Sequence, residues 1–389
     1  MYKFPVPNYK ENNIINLMSS ISHSFGRKHE YNELKSLNQE KLNNFDNIVL
    51  IVIDGLGYNY LKNKKNSFLF KNIHSKLNTT FLSTTACANT AFQVGYPPQQ
   101  HGLTGWTINL KEVGAITQVL PFTPRYGGTN LSENNFNINK IIDIDSFHKD
   151  FKGDCFTIIE KDKAERGFIK HVAKETKIVP CETYKEIYLE LKKLINKKSE
   201  KRRFIHAYID DFDAVQHNNG VKSDETLQLF QDIDNKIQIF SESIKGTNTK
   251  LIIVADHGLI DLDEKSEIAV EDIPGLSDCL TIPMTGEPRV RDCFVRPSKV
   301  KQFKEIIENK MSKYCWCFEG EQLIKDNFYG LGTPHKKLFD RVGDFVLIMK
   351  ENYVLRDKLI NHNPLQIEKA SHGAFSDNEM HIPLVIIDC

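Results

Sequence analysis

Residues 47–54 read NIVLIVID, an almost unbroken apolar and β-branched run closed by the carboxylate of Asp54. A run so short and so uniformly apolar reads as a strand buried on both faces, as in a parallel sheet covered by helices. Three further segments share the pattern: Cys155–Glu160, Arg203–Asp210 and Leu251–Asp256. Between them, Thr183–Asn196 repeats apolar residues at helical spacing through Ile187, Leu189, Leu191, Leu194 and Ile195, and Glu225–Ser243 does so through Leu227, Leu229, Phe230, Ile233, Ile237 and Phe240. Strand alternating with helix predicts an α/β fold with a doubly wound, mostly parallel sheet flanked by helices. Ligands of such sheets collect beyond the carboxyl ends of the strands, where Asp54, Asp210 to Asp213 and Asp256 all fall.

After His257 the pattern becomes irregular, with Pro274, Pro283, Pro288 and Pro297, then a helix-like Ser298–Lys313 and a last apolar run, Ile382–Ile387. We therefore expect residues 1–258 and 366–389 to form a catalytic core and residues 259–365 an inserted cap that shapes specificity.

Composition narrows the function. The chain has 389 residues, 40% of them hydrophobic, enough for a large core. Lys plus Arg and Asp plus Glu stand at 51 each, so no net field favours duplex nucleic acid or an anionic membrane, and phosphate recognition has to be local. The basic run Lys192–Arg203 lacks interleaved aromatics and reads as a solvated helix end. No apolar run reaches membrane-spanning length and the first residues lack a secretory pattern, from which a soluble, cytoplasmic protein is expected. The scattered cysteines do not suggest a disulfide framework, Cys315 and Cys317 are too close for a zinc-binding pair, and Cys87 reads as a packing residue.

Five motifs carry chemistry. Asp54 is followed by Gly55-Leu56-Gly57, which lacks the third glycine of a dinucleotide fingerprint and offers an anionic ligand at a strand end. Asp213 and His217, four residues apart in DAVQH, share one helix face. Asp256 and His257 close the strand LIIVA with the mixed oxygen and nitrogen donors that suit zinc, manganese or iron. His372 repeats the His-Gly pairing in ASHGAF. FLSTTACANTAF supplies the hydroxyls of Ser83, Thr84 and Thr85, and Thr85 would lie at a helix start, where backbone amides favour developing negative charge.

Together these motifs resemble the alkaline phosphatase superfamily, specifically its nucleotide pyrophosphatase/phosphodiesterase-like branch and the bacterial alkaline phosphatase family proteins. The resemblance runs from IVIDGLG through STTACANTAFQVGYPPQQHGLTGW, DAVQH and ADHG to ASHGAFSDNEM. It implies two divalent cations, zinc by family habit with manganese as the alternative. Asp54, Thr85, Asp256 and His257 would surround one, and Asp213, His217 and His372 would hold the other. It further implies that Thr85 is the nucleophile and that a covalent phosphothreonine forms during hydrolysis of a phosphodiester or pyrophosphate bond. The expected substrate is a small phosphodiester or nucleotide. A phosphomonoesterase, a phosphonate hydrolase and a metal-bearing protein without turnover are the alternatives.

The chain departs from the branch after its His-Gly step. HGLTGW places Thr104, Gly105 and Trp106 where relatives carry a phosphate-binding Asn. Asn89, one turn beyond Thr85, is a candidate substitute, and Trp106, Tyr126 and Arg289 are further candidate substrate contacts. A sulfatase is disfavoured, because Cys87-Ala88-Asn89-Thr90-Ala91 lacks the proline and arginine of that class's motif.

Overall fold

The computed structural model describes residues 6–357 and 368–389. Its central sheet has seven strands, in spatial order Ile73–Asn78, His381–Asp388, Thr249–Val254, Asn47–Ile53, Arg203–Ile209, Asp154–Glu160 and Lys177–Cys181. The last five run parallel, and His381–Asp388 is antiparallel to both its neighbours. Every residue of Asn47–Ile53, Arg203–Ile209 and Thr249–Val254 is buried, which is why these segments carry no polar alternation. The helices Tyr184–Asn196 and Asp224–Ser243 form where helical spacing predicts them. The second is capped by Ser223, whose hydroxyl accepts from the Thr226 amide.

Register then positions the chemistry. Val52 lies beside Val254 and Ile53 beside Ile209, so Asp54, Asp256 and Asp210 emerge together at one end of the sheet.

A second seven-stranded sheet, antiparallel throughout, has the order Cys315–Glu319, Phe345–Met349, Val290–Cys293, Thr285–Glu287, Thr107–Leu110, Ala115–Gln118 and Thr123–Pro124. Four of its strands come from the segment expected to form the cap. The other three come from residues 107–124, within the span read as core. Within residues 259–365 a separate hydrophobic cluster packs around Phe303, Phe345 and Leu347. Another cluster joins Val346 and Ile348 to Phe81, Leu82 and Phe375, tying the two sheets together.

Arg289 and Arg341 hold this joint. Arg289, expected as a substrate contact, does not reach the cleft: Nε donates to Glu379 Oε1 at 2.6 Å, and its guanidinium also donates to the carbonyls of Tyr353 and Glu351. Both partners of that ion pair are buried, and a positive charge so placed is consumed by the fold. Arg341 donates to the carbonyls of Gly102 and Ile141 and to Glu112. Arg289→Met should leave Glu379 charged without its partner and lower stability by ~3–5 kcal/mol, read from the midpoint of urea unfolding. A loss below about 1 kcal/mol would show that the pair is dispensable.

Candidate active site

Beyond the carboxyl ends of the central strands, six side chains form two groups. Donor atoms of Asp54, Asp256 and His257 lie within 4.8 Å of one another, and so do those of Asp213, His217 and His372. His257 Nε2 is 3.3 Å from Asp54 Oδ1 and 3.6 Å from Asp256 Oδ2. His217 Nε2 is 3.3 Å from Asp213 Oδ2 across one turn of the helix Asp211–Asn219. The groups adjoin, since the His257 and His372 rings stack with centroids 3.8 Å apart.

Backbone geometry makes the convergence possible. Gly55 has φ +75°, and a Cβ there would come within 3.1 Å of the Asp213 Cα, so glycine lets that helix approach Asp54. Gly258 is tighter still, its absent Cβ falling 2.1 Å from the Asn378 carbonyl oxygen. His372 arrives on the short strand Ala370–Ser371, which pairs with Ile260–Asp261.

The second nitrogen of each imidazole is committed. His217 Nδ1 contacts the Ala370 carbonyl at 2.8 Å, His372 Nδ1 the Ser83 carbonyl at 3.0 Å, and His257 Nδ1 the Gly258 carbonyl at 3.3 Å. Such contacts fix the ring and turn the other nitrogen toward the cluster.

Thr85 stands beside the Asp54, Asp256 and His257 group as the first residue of the helix Thr85–Val94. Its Oγ1 is 3.1 Å from His257 Nε2 and 3.4 Å from Asp54 Oδ2. The neighbouring hydroxyls are spent elsewhere: Ser83 Oγ donates to the Ala374 carbonyl at 2.8 Å, and Thr84 Oγ1 donates to Glu287 Oε1 at 2.5 Å.

Electrostatics distinguish the groups. Burial, then the charges of Asp256 and Asp213, drive the Asp54 carboxyl well above the usual carboxylate range, and burial also raises Asp256. Burial would raise Asp213 too, but the neighbouring His217 and His372 hold it well below. Although burial opposes it, Asp213 pushes His217 up to about 9, while burial and His257 drive His372 well down. Asp54 Oδ1 and Asp213 Oδ1 are buried with no hydrogen-bond partner among the described residues. Carboxylate oxygens that face no donor, beside imidazole nitrogens with their other ring position satisfied, fit divalent cations.

Two residues here escaped the sequence reading. Tyr208 donates its hydroxyl to Asp54 Oδ2, and strand alternation two residues before Asp210 was the available signal. Glu287, on the strand Thr285–Glu287 of the second sheet, accepts from Thr84 Oγ1 and from the Trp106 amide at 2.7 Å, and burial pushes its carboxyl up to about 7. No local pattern marked it.

Two lobes open from the site. One, about 320 Å³, is lined by Asp54, Thr85, Asn89 and Trp106 together with Ile159 and Phe168. The other, about 420 Å³, runs from Thr85, His217 and His372 toward Arg125, Arg291 and Arg356. Asn89 is therefore buried against the cleft instead of standing on the helix surface, and its Oδ1 has no partner among the described residues. Tyr126 is exposed, with its ring under the Arg125 guanidinium at 5.0 Å.

Paired Asp/His groups beside a helix-start hydroxyl, beyond the strands of a mostly parallel sheet, fit the metal-dependent hydrolases of the alkaline phosphatase superfamily, the class in which the family match places the chain. The chain belongs to the type I phosphodiesterase/nucleotide pyrophosphatase family, whose model matches residues 48–375. Among solved structures it is similar to murine ectonucleotide pyrophosphatase/phosphodiesterase 5, with TM-score 0.64 and 15% identity over 87% of each chain. The human form of that protein gives TM-score 0.65 and 14% identity, again over 87% of each chain. Phosphonoacetate hydrolase from Sinorhizobium meliloti 1021 gives TM-score 0.60 and 14% identity over 87% of this chain and 89% of that one. No curated protein sequence matches the chain significantly. Among the described residues, no helix is long and apolar enough to cross a membrane.

Proposed function

We propose that the protein hydrolyses phosphodiester or pyrophosphate bonds of small, nucleotide-type substrates, with Thr85 as nucleophile. The observation that carries this reading is the Thr85 hydroxyl at the start of its helix, 3.1 Å from His257 and 3.4 Å from Asp54. Asp54, Asp256 and His257 would hold one cation together with Thr85, and Asp213, His217 and His372 a second. The donor set suits Zn2+, with Mn2+ as the alternative. When bound, such ions lower the pKa of a coordinated hydroxyl and neutralise charge on the entering and leaving oxygens.

Thr85 Oγ1 attacks phosphorus in line, forming a P–Oγ bond as the bond to the leaving oxygen breaks; the hydroxyl proton passes through solvent to that oxygen, which departs as an alcohol or a phosphate. Water then displaces Thr85, which recovers its proton, and phosphate or a monoester departs. Backbone amides of the helix start face the anion that develops on phosphorus. His217, His257 and His372 keep their orientation through their carbonyl contacts, and Tyr208 holds Asp54 in place. Asn89, which lines the cleft with Thr85, would donate to a nonbridging phosphate oxygen and supply the contact missing after the His-Gly step. Trp106 walls both lobes and offers a face for an aromatic substituent.

The relatives support this reading. An inactive threonine-to-alanine form of the murine protein was solved with AMP, and the Sinorhizobium enzyme with phosphonoacetate. The latter keeps phosphonate hydrolysis as the second reading.

Turnover of bis-p-nitrophenyl phosphate should exceed that of p-nitrophenyl phosphate under the same metal loading. The reverse order would assign a phosphomonoesterase. A metal-replete protein inert toward diesters, monoesters and phosphonates alike would remove the enzymatic reading.

A further inference from the structure

The two lobes differ in how their cationic residues are balanced. In the lobe walled by Ile159 and Phe168, Lys163 pairs with Glu160 at 2.5 Å and Asp210 at 2.6 Å, and Arg166 pairs with Asp162 at 2.6 Å. Each cation there has its own carboxylate. In the other lobe Arg125, Arg291 and Arg356 come together, and only two are matched: Arg125 forms a two-pronged pair with Asp357, and Arg356 pairs with Glu368.

Arg291 has no carboxylate within ion-pair distance among the described residues. It is nevertheless buried, with Nε donating to the Leu355 carbonyl at 2.6 Å. Of the other acids lining the lobe, Asp213 pairs with His217, and Glu287 is occupied by Thr84 and the Trp106 amide. Burial, opposed by Asp357 and reinforced by the other two arginines, lowers Arg291 to about 10, so it stays charged at neutral pH. Its strand, Val290–Cys293, is an inner strand of the cap sheet, which gives the guanidinium a rigid base. A buried, rigid, unmatched guanidinium is costly unless an oxyanion completes it, and its planar fork suits carboxylate and phosphate equally. Thr85, His217 and His372 line the same cavity, so an anion at Arg291 would belong to the molecule whose phosphorus meets Thr85.

We propose that Arg291, flanked by Arg125 and Arg356, forms a second oxyanion subsite that receives a carboxylate or phosphate group on the far arm of the substrate. The inference rests on the hydrolase reading above and narrows it. The preferred substrate carries one group of aromatic or apolar character toward Ile159 and Phe168 and an anionic arm toward the cap sheet. A diester whose two arms are both uncharged fills only half of the cleft.

Calorimetric titration of the metal-loaded protein tests this independently of turnover. The probes are ω-phosphonocarboxylates and α,ω-bisphosphonates linked by two, three or four methylenes, each beside the alkylphosphonate of equal length. At least one charged arm should bind about tenfold tighter than its alkyl control, and the stronger series tells carboxylate from phosphate. In Arg291→Gln that advantage should disappear while the affinity for the alkylphosphonate stays unchanged. Arg291→Lys, which keeps the charge but loses the fork, should retain part of it and serves if the glutamine variant does not fold.

Equal affinity of charged and alkyl arms in the wild type overturns the subsite, as does an undiminished advantage in both variants. Where alkylphosphonates bind and esters are turned over but the arm adds nothing, the subsite alone is wrong. Where alkylphosphonates fail to bind and no ester is cleaved, the hydrolase reading falls and takes the subsite with it.

Discussion

Replacing Thr85 with alanine is expected to reduce turnover by at least ~10⁴-fold, because the displacement loses its nucleophile while the remaining groups only bind. Thr85→Ser keeps an oxygen at the same place and should retain measurable turnover. The control is Thr84→Ala. Thr84 is the residue before the helix, and its hydroxyl serves Glu287, which also holds the Trp106 amide. Losing that hydrogen bond should cost ~1–3 kcal/mol of stability and shift KM more than kcat. Acid quenching during turnover of a diester, followed by peptide mass spectrometry, should find Thr85 carrying the phosphoryl group with its retained ester arm in the wild type and no such adduct in Thr85→Ala. Inactive Thr84→Ala beside active Thr85→Ala would place the nucleophile one residue earlier. Two active variants without a phosphorylated peptide would remove the covalent step.

The second large effect concerns the cations. Asp54 and Asp256 are buried with the half-buried Asp213 beside them, and both have carboxyls driven upward by burial, reinforced at each by the charge of Asp213. Divalent cations convert that repulsion into attraction, so binding is expected to stabilise the fold. Free metal at a hundredfold excess over Kd contributes about 2.7 kcal/mol per site through linkage alone. Loading chelator-treated protein with Zn2+ or Mn2+ should raise Tm by several degrees, bind two equivalents per chain and restore turnover from none. His257→Ala and His217→Ala should each reduce the stoichiometry to one, since each belongs to a different group. One equivalent in the wild type, or an unchanged Tm on loading, would defeat the two-cation arrangement.

Much of the core was legible because its determinants are local. A strand buried on both faces has to be apolar along its whole length, so NIVLIVID and LIIVA announce themselves, and the carboxylate ending each one marks the ligand-bearing edge. Asp213 and His217 were readable as a pair because a helix brings residues four apart to one face. Less legible was the antiparallel His381–Asp388, since an apolar run states burial and not direction. The second sheet was harder still. Its strands are short, and they join residues 107–124 to residues 285–349 through pairings no local pattern encodes.

At the site the same division holds. The sequence by itself determined the kinds of donor, their attachment to strand ends and one helix turn, and a chain neutral enough that recognition is local. Tertiary structure alone decided which donors meet: that His372 stacks on His257, that Asn89 faces the cleft, that Arg289 is consumed by Glu379, and that Arg291 is left unmatched. The physical reason is range. Strand and helix periods act over a few residues, whereas the partner of a buried charge is chosen by packing between segments hundreds of residues apart.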